Sequence, residues 1–212
     1  MKMIITSLLL SLLLFMPAAV SVSAGDGAEN RSTVFRINDV SFTLTGTSNV
    51  RDWEITSDTF SGVVRESASF FQADVENGNP DTWFDEVHVS VPASSLDSGI
   101  GAMNQAMHST LKSDEHPELS YELEEVKAIS VGEADREYVL VIRGVAQAAG
   151  AYHQLEHEVT ISSDNPDQFV VFGEFQVRFA DFDLEPPSFM RGALRTDEDV
   201  LVSFRFTMVR DE

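Results

Sequence analysis

The side chains in this sequence with chemistry to offer are five histidines and a large excess of carboxylates. His153 and His157 have the H-x-x-x-H spacing that a helix would bring onto one face, as in zinc sites. Their neighbours Leu155, Val159 and Ile161 recur at every second position, which is the period of a strand. On a strand the two imidazoles point the same way but stand roughly 13 Å apart, beyond the reach of one metal ion. They read as histidines facing the interior or rim of a sheet. His108 and His116, with Asp114 and Glu115, form a weak metal set, and a solvated helix end is the plainer reading. Glu122, Glu124 and Glu125, or Asp181, Asp183 and Glu185, could be cast as acid–base pairs, but acid is so abundant here that such neighbours carry little information. The sequence contains no Gly-x-Ser-x-Gly elbow, phosphate-binding glycine loop or dinucleotide fingerprint. It has no cysteine, so thiol chemistry, thiolate metal sites and disulfides are all excluded. The expectation is a protein without catalytic residues, metal or cofactor.

The formal net charge of −21 argues against nucleic acid and anionic membrane surfaces as partners, because both demand basic patches. Eleven of the basic residues are arginines, and Lys112 and Lys127 are the only lysines after Lys2. Such an acidic surface fits a saline setting, where salt screens self-repulsion, as well as an ordinary soluble acidic protein. Lys2, the apolar run Ile4 to Phe15, Pro17 and the small residues Val22-Ser23-Ala24 make a secretory signal peptide over residues 1–24, cut after Ala24. The run is too short to span a bilayer as a helix, the alternative being a retained N-terminal anchor. The expected location is the periplasm or outside the cell. Residues 25–32 are small and polar, a flexible leader, and residues 33–212 suit a single domain.

The elements that must position any site are strands. Phe169, Val171, Phe175, Val177 and Phe179 alternate with Glu174, Gln176 and Arg178 on one long segment. Val200, Val202, Phe204, Phe206 and Met208 alternate with Ser203, Arg205 and Thr207 on another. Upstream, Val34 to Ile37 and Val40 to Thr45 read as a strand broken at Asn38-Asp39. Gly46 to Trp53 reads as a turn with a tryptophan at its exit. Further strands are Phe60 to Glu66, Ala68 to Val75, Trp83 to Val91, Leu119 to Ile129 with a phase slip at Glu124-Glu125, Arg136 to Gly144, and His153 to Ile161. Between them Ile100, Met103, Met107 and Leu111 fall at helical spacing, giving one short helix over about 98–113 with Asp97 or Ser98 as N-cap. Eight to ten strands joined by short turns, without crossover helices, make an antiparallel sheet. A sheet this large curls into a barrel or splits into a sandwich, and periodicity does not choose between them.

Three stretches resemble the YceI-like family of exported bacterial proteins. Gly46-Thr47-Ser48 with Asp52-Trp53 is similar to a Gly-Thr-Ser-x-x-His-Asp-Trp turn of one branch, with Arg51 in place of the histidine. Ser95-Leu96, Leu111-Lys112 and Pro117-Glu118-Leu119-Ser120-Tyr121 resemble a block of the form Ser-Leu, helix, Leu-Lys, Pro-x-Ile-x-Phe, with Tyr121 in place of phenylalanine. Phe182-Asp183-Leu184-Glu185-Pro186-Pro187 and Gly192-Ala193-Leu194-Arg195-Thr196 resemble the segment before the last strand, with Asp183 where glycine is usual and Arg195 where lysine is. The resemblance implies an all-β fold, an antiparallel lipocalin-like barrel of about eight strands with a helical insertion near one mouth. It also implies a polyisoprenoid or similar long apolar lipid as ligand, including the isoprenoid quinone type.

The apolar faces agree with such a ligand, since they offer aromatic and aliphatic surface rather than groups for a polyhydroxylated metabolite. Burial of a prenyl tail gains roughly 0.8 kcal/mol per methylene, less the cost of ordering it. The candidate lining residues are Phe42, Leu44, Trp53, Phe71, Val89, Met103, Met107 and Leu111 in the first half. In the second half they are Tyr121, Leu140, Leu155, Phe175, Phe179, Phe182, Phe204 and Phe206. The Met103/Met107/Leu111 stripe is either a lid over the mouth or plain core. The alternative function is a structural or interaction barrel filled by its own phenylalanines, with no ligand. A homodimer is a further possibility, since a long barrel leaves seams and edges to cover.

Overall fold

The alternation of apolar and polar residues becomes an antiparallel sheet in a computed structural model that describes residues 33–67, 83–134, 136–165, 167–189 and 193–211. In chain order the strands are β1 (Thr33–Ser48), β2 (Trp53–Ser57), β3 (Ser61–Glu66), β4 (Phe84–Pro92) and β5 (Glu118–Val131). They continue as β6 (Glu137–Ala148), β7 (Ala151–Asn165), β8 (Gln168–Arg178), β9 (Ser188–Phe189) and β10 (Leu194–Arg210), with one helix, α1 (Gly101–Thr110), between β4 and β5. The order β1-β3-β4-β5-β6-β7-β8-β10 closes through the pairing of β10 with β1, which gives an eight-stranded barrel. Residues 1–32 and the strand expected at Ala68 to Val75, with Phe71, lie outside the described residues.

Closure depends on the two longest strands. β10 pairs with β8 along one side (Val202 opposite Phe175) and with β1 along the other (Phe42 opposite Phe204, Leu44 opposite Val202). β1 has to serve two neighbours on its remaining side: Thr33 to Phe35 pair with β3, and Phe42 to Gly46 pair with β2. The change of partner falls where the register shifts between Asn38 and Ser41, with Asp39 in the left-handed region at φ 48°. The break expected at Asn38-Asp39 is thus a bulge within one continuous strand. The slip expected at Glu124-Glu125 is a second bulge, since the β5–β6 register shifts between Leu123 and Glu125 and again between Val126 and Ala128.

Three local expectations are corrected. Trp53, expected at the exit of a turn, opens the strand β2, which pairs with β1 and whose Thr56 bridges to Asp97. Gly46 lies inside β1 beneath the Trp53 ring, where an added Cβ would come within 2.2 Å of the indole, so a side chain there would push β2 away. The helix starts later than expected: its N-cap is Ile100, which makes no side-chain cap. Gly99, at φ 73°, turns the chain after Ser98, and Asp97 and Ser98 instead bind Asn104 inside the helix. β6 runs past Gly144 to Ala148 and turns into β7 through Ala149 and Gly150, both at positive φ, as a tight two-residue hairpin requires.

Two apolar clusters share the barrel. One gathers Phe35, Val64, Trp83, Leu140, Phe169 and Phe206. Phe169 is fully buried there and meets Phe35 edge to face at 5.5 Å between ring centroids. The other gathers Phe42, Ile55, Val91, Leu96, Met107, Leu111, Phe182 and Val202 beneath α1.

Candidate functional site

The interior that these clusters surround is not completely filled. A cavity of about 390 Å³ lies under α1 and opens at that end of the barrel, within the usual size of sites for small apolar ligands. A deeper cavity of about 130 Å³ lies among the residues of the first cluster. The two share Phe42, Phe60, Val89, Tyr121, Phe175 and Val202 as a waist, so they lie end to end along the barrel. Along β10 the lining runs from Leu194 to Met208. At about 3.3 Å per residue and a strand tilt of about 40° that distance is roughly 35 Å along the barrel.

The mouth is built from α1, the turn before β2 and the loop after β8. Met103 and Met107 on α1, with the C-cap residue Leu111, face the upper cavity, and Met107 and Leu111 are buried. The stripe is therefore both core and cavity roof. Across from it a 3-10 turn, Phe179–Phe182, sets Phe179 and Phe182 into the wall. Asp181 locks that turn by accepting from the Arg178 backbone N–H at 2.8 Å and from its guanidinium at 2.9 Å. Burial alone would raise the Asp181 carboxyl, but these bonds, with the charges of His153 and Arg178, hold it below its ordinary value. Leu184 and Pro187 continue the rim, and Arg51, Ser48 and Thr196 supply its polar edge.

Beside the waist, the deeper cavity holds a buried histidine. His157 on β7 is 8% exposed, with its ring 4.6 Å from Phe175 and 5.4 Å from Tyr121. Neither His157 Nδ1 nor the Tyr121 hydroxyl has a hydrogen-bond partner. Gly144 makes room for the tyrosine, since a Cβ there would stand 2.4 Å from its hydroxyl. Burial in this apolar surrounding pushes the tyrosine hydroxyl up, with the charge of Glu124 adding, and pushes the His157 imidazole down to about 4.

His157 should therefore make the fold acid-sensitive within a defined window. The unfolded chain takes up this proton near pH 6.5, and the folded site only near pH 4. Stability from keeping the ring neutral is whole above pH 6.5 and lost as pH falls to about 4, an effect of about 3 kcal/mol. Denaturant titrations at neutral pH and at about pH 4 should show wild type losing more stability than His157→Leu by that amount. Equal losses in the two proteins would mean that His157 is not buried neutral.

The residues expected to line a cavity are distributed as follows. Phe42, Leu44, Trp53, Val89, Met103, Met107, Leu111, Tyr121, Phe175, Phe179 and Phe182 face the upper cavity. Leu140, Phe204 and Phe206 face the deeper one. Leu155 lines neither and packs beside the cluster under α1. Ile55, Phe60, Ala146, Val177 and Val200 also line the upper cavity and were not among the expected residues. Val177 and Val200 lie on faces whose alternation was visible, whereas Ile55 sits on β2, in a stretch between the expected turn and the strand expected at Phe60 that was assigned to no element. His153 and His157 both stand on β7, opposite Ala146 and Ile142, in the strand geometry that keeps them from sharing a metal. Among the described residues no group of three or more His, Cys, Asp and Glu could hold a metal ion, and no helix is long and apolar enough to cross a membrane.

With this geometry in hand, comparison with known proteins gives consistent matches. The family model of the YceI-like domain matches residues 28–208. Among solved structures, a polyisoprenoid binding domain from Saccharophagus degradans, implicated in plant cell wall breakdown, superposes with a TM-score of 0.62 at 12% identity, covering 85% of this chain and all (100%) of its own. BcnA of Burkholderia cenocepacia superposes with a TM-score of 0.57 at 12% identity, covering 79% of this chain and 95% of its own. The Campylobacter jejuni YCEI protein follows with a TM-score of 0.51 at 9% identity, covering 74% and 84%. At these identities the structural likeness establishes a common fold. A search of curated proteins gave no match.

Proposed function

The chain belongs to the YceI-like family, and from that premise we propose that it is an exported, non-catalytic carrier holding a long apolar lipid, of the polyisoprenoid or isoprenoid-quinone type, inside its barrel. The observation that carries this reading is the apolar interior itself. Its upper cavity is walled mainly by phenylalanines, aliphatic side chains and methionines, with few polar side chains among them. An extended hydrocarbon is the ligand class that such a wall accepts, because a sugar or nucleotide would leave buried hydroxyls unpaired. The description of the Saccharophagus degradans relative as a polyisoprenoid binding domain supports the same class. The apolar run and small residues of positions 1–24 support export to the periplasm or beyond.

The test is direct. Protein purified from its native host should release a long-chain isoprenoid lipid into organic solvent, identified by mass spectrometry at about one per chain. The emptied protein should then bind an apolar fluorescent probe, N-phenyl-1-naphthylamine, saturably and release it to a C20 isoprenoid. A preparation with no lipid and no saturable probe site would refute the carrier reading.

A further inference from the structure

The helix over the mouth is held very differently at its two ends. Its C-terminal half is fixed. Met107 and Leu111 are buried, and the Ser113 N–H returns to the His108 carbonyl at 3.0 Å. The Ala93 N–H binds the Pro117 carbonyl at 2.8 Å, which ties the chain after the helix to the end of β4. The N-terminal half is loose. Gly101 and Ala102 are exposed, and Ile100, which lines the upper cavity, is 42% exposed. No side chain caps the first turn, and a Cβ placed at Gly99 or Gly101 would meet nothing within 4 Å. What holds this half is Asn104. Its amide donates to the Asp97 carboxylate at 2.6 Å, and accepts from the Ser98 backbone N–H at 2.8 Å and the Ser98 hydroxyl at 2.6 Å. Asp97 is itself tied to β2 by a reciprocal pair of backbone bonds with Thr56, both 2.9 Å. Among the described residues these are the only side-chain hydrogen bonds that α1 makes.

We propose that α1 is a gate whose N-terminal half swings away from the mouth on a pivot at the buried Leu111 end, with Asn104 as the latch that sets how often lipid enters or leaves. The inference rests on the carrier reading and adds the exchange step to it. A ligand in the upper cavity has Met103 and Met107 as its roof, so its exchange is governed by how α1 moves. The latch bonds lie at or near the surface, where water replaces each of them at small cost. Opening is therefore far cheaper than unfolding the barrel. Gly99, at φ 73°, has the freedom to absorb the change in backbone direction between the fixed Asp97 and the moving helix. Neither Asn104 nor Gly99 lines the cavity, so a change at Asn104 acts on opening and not on the ligand's own contacts. That separation has a kinetic signature. With the closed form dominant both with and without ligand, a weaker latch raises entry and exit by the same factor and leaves affinity where it was.

Stopped-flow mixing of the emptied protein with N-phenyl-1-naphthylamine reads entry, and displacement of the bound probe by excess geranylgeraniol, a C20 isoprenoid alcohol, reads exit. In Asn104→Ala both rates should rise about tenfold, the effect of losing the latch bonds, while Kd changes by less than about twofold. Ser98→Ala removes one latch bond and should raise both rates by a smaller factor. It carries the test should Asn104→Ala fail to fold. Hydrogen exchange gives a readout that needs no ligand: the amides of Met103 to Ala106 should exchange faster in the variant, with those of β5 and β6 unchanged. Unchanged entry and exit in a folded variant would overturn the gate and leave the carrier reading standing. Faster exit with unchanged entry would also overturn it, because Asn104 would then be shaping the site rather than its opening. Absence of a saturable probe site in wild type would overturn the carrier reading and the gate together.

Discussion

Ala146→Trp is expected to abolish binding of a C20 isoprenoid while the melting temperature holds or rises. Ala146 is on β6, where it pairs with Tyr121 of β5 and His153 of β7, and it faces the upper cavity. An indole at this position projects into the space of about 390 Å³ rather than into packed core, so the added ring gains contacts without forcing neighbours apart. The lipid loses the same space. Exclusion of only four methylene-sized groups, at roughly 0.8 kcal/mol each, lowers affinity more than about 100-fold. The measurement is a displacement titration beside a thermal melt. Retained affinity with a raised melting temperature would place the ligand outside the upper cavity. A charge at Phe204 probes the interior less cleanly, since that ring stacks against Phe206 at 6.1 Å and packs against both clusters.

Phe169→Ala is expected to produce the largest loss of stability from a single side chain. Phe169 is fully buried in the first cluster, against Phe35, and lines neither cavity. Truncating a phenylalanine in such surroundings costs about 3–5 kcal/mol, since it removes burial and leaves a void. For a domain of this size the melting temperature should fall by roughly 10 °C. Phe175→Ala is the informative control, because Phe175 faces open space in both cavities and has less packing to lose. Its loss should be distinctly smaller while ligand affinity falls. If the two variants lost equal stability, the packed cluster and the cavity wall would not be distinct parts of the interior.

Much of the architecture was legible because a barrel wall writes itself into sequence with a period of two. The alternation at Phe169 to Phe179 and Val200 to Met208 gave the strands on either side of the mouth loop, and interruptions of alternation at Asn38-Asp39 and Glu124-Glu125 marked the bulges. Short elements were less visible. β2 has five residues, too few for alternation to stand out, and Trp53 to Ser57 is a strand because β1 and Asp97 supply its partners. The state of the interior was not legible at all. Periodicity assigns Phe175 and Phe204 to the inward face, but whether inward rings meet or leave a cavity depends on spacing across the barrel. Leu155 shows the difference, since it shares the face of His153 and His157 and yet lines neither cavity. Ala146 is the converse: a small residue draws no notice in sequence, and here it is part of what leaves the upper cavity wide.

Closure of the barrel by its first and last strands has a kinetic consequence. β10 is the partner of both β1 and β8, so until residues 194–210 are available each of those strands presents an open edge. Arg36 and Asp211, which form an ion pair across that seam, are 175 residues apart in the chain. Bringing such distant segments together carries a loop-closure cost that local hairpins such as β6–β7 do not bear. The hairpins can form early and locally, but the ring, and with it the enclosed interior, exists only after the C-terminal segment has been delivered. Under the export proposed above, this order of events is an advantage for a chain that crosses a membrane in extended form. No closed body can assemble around the leading portion before the trailing strand has passed through.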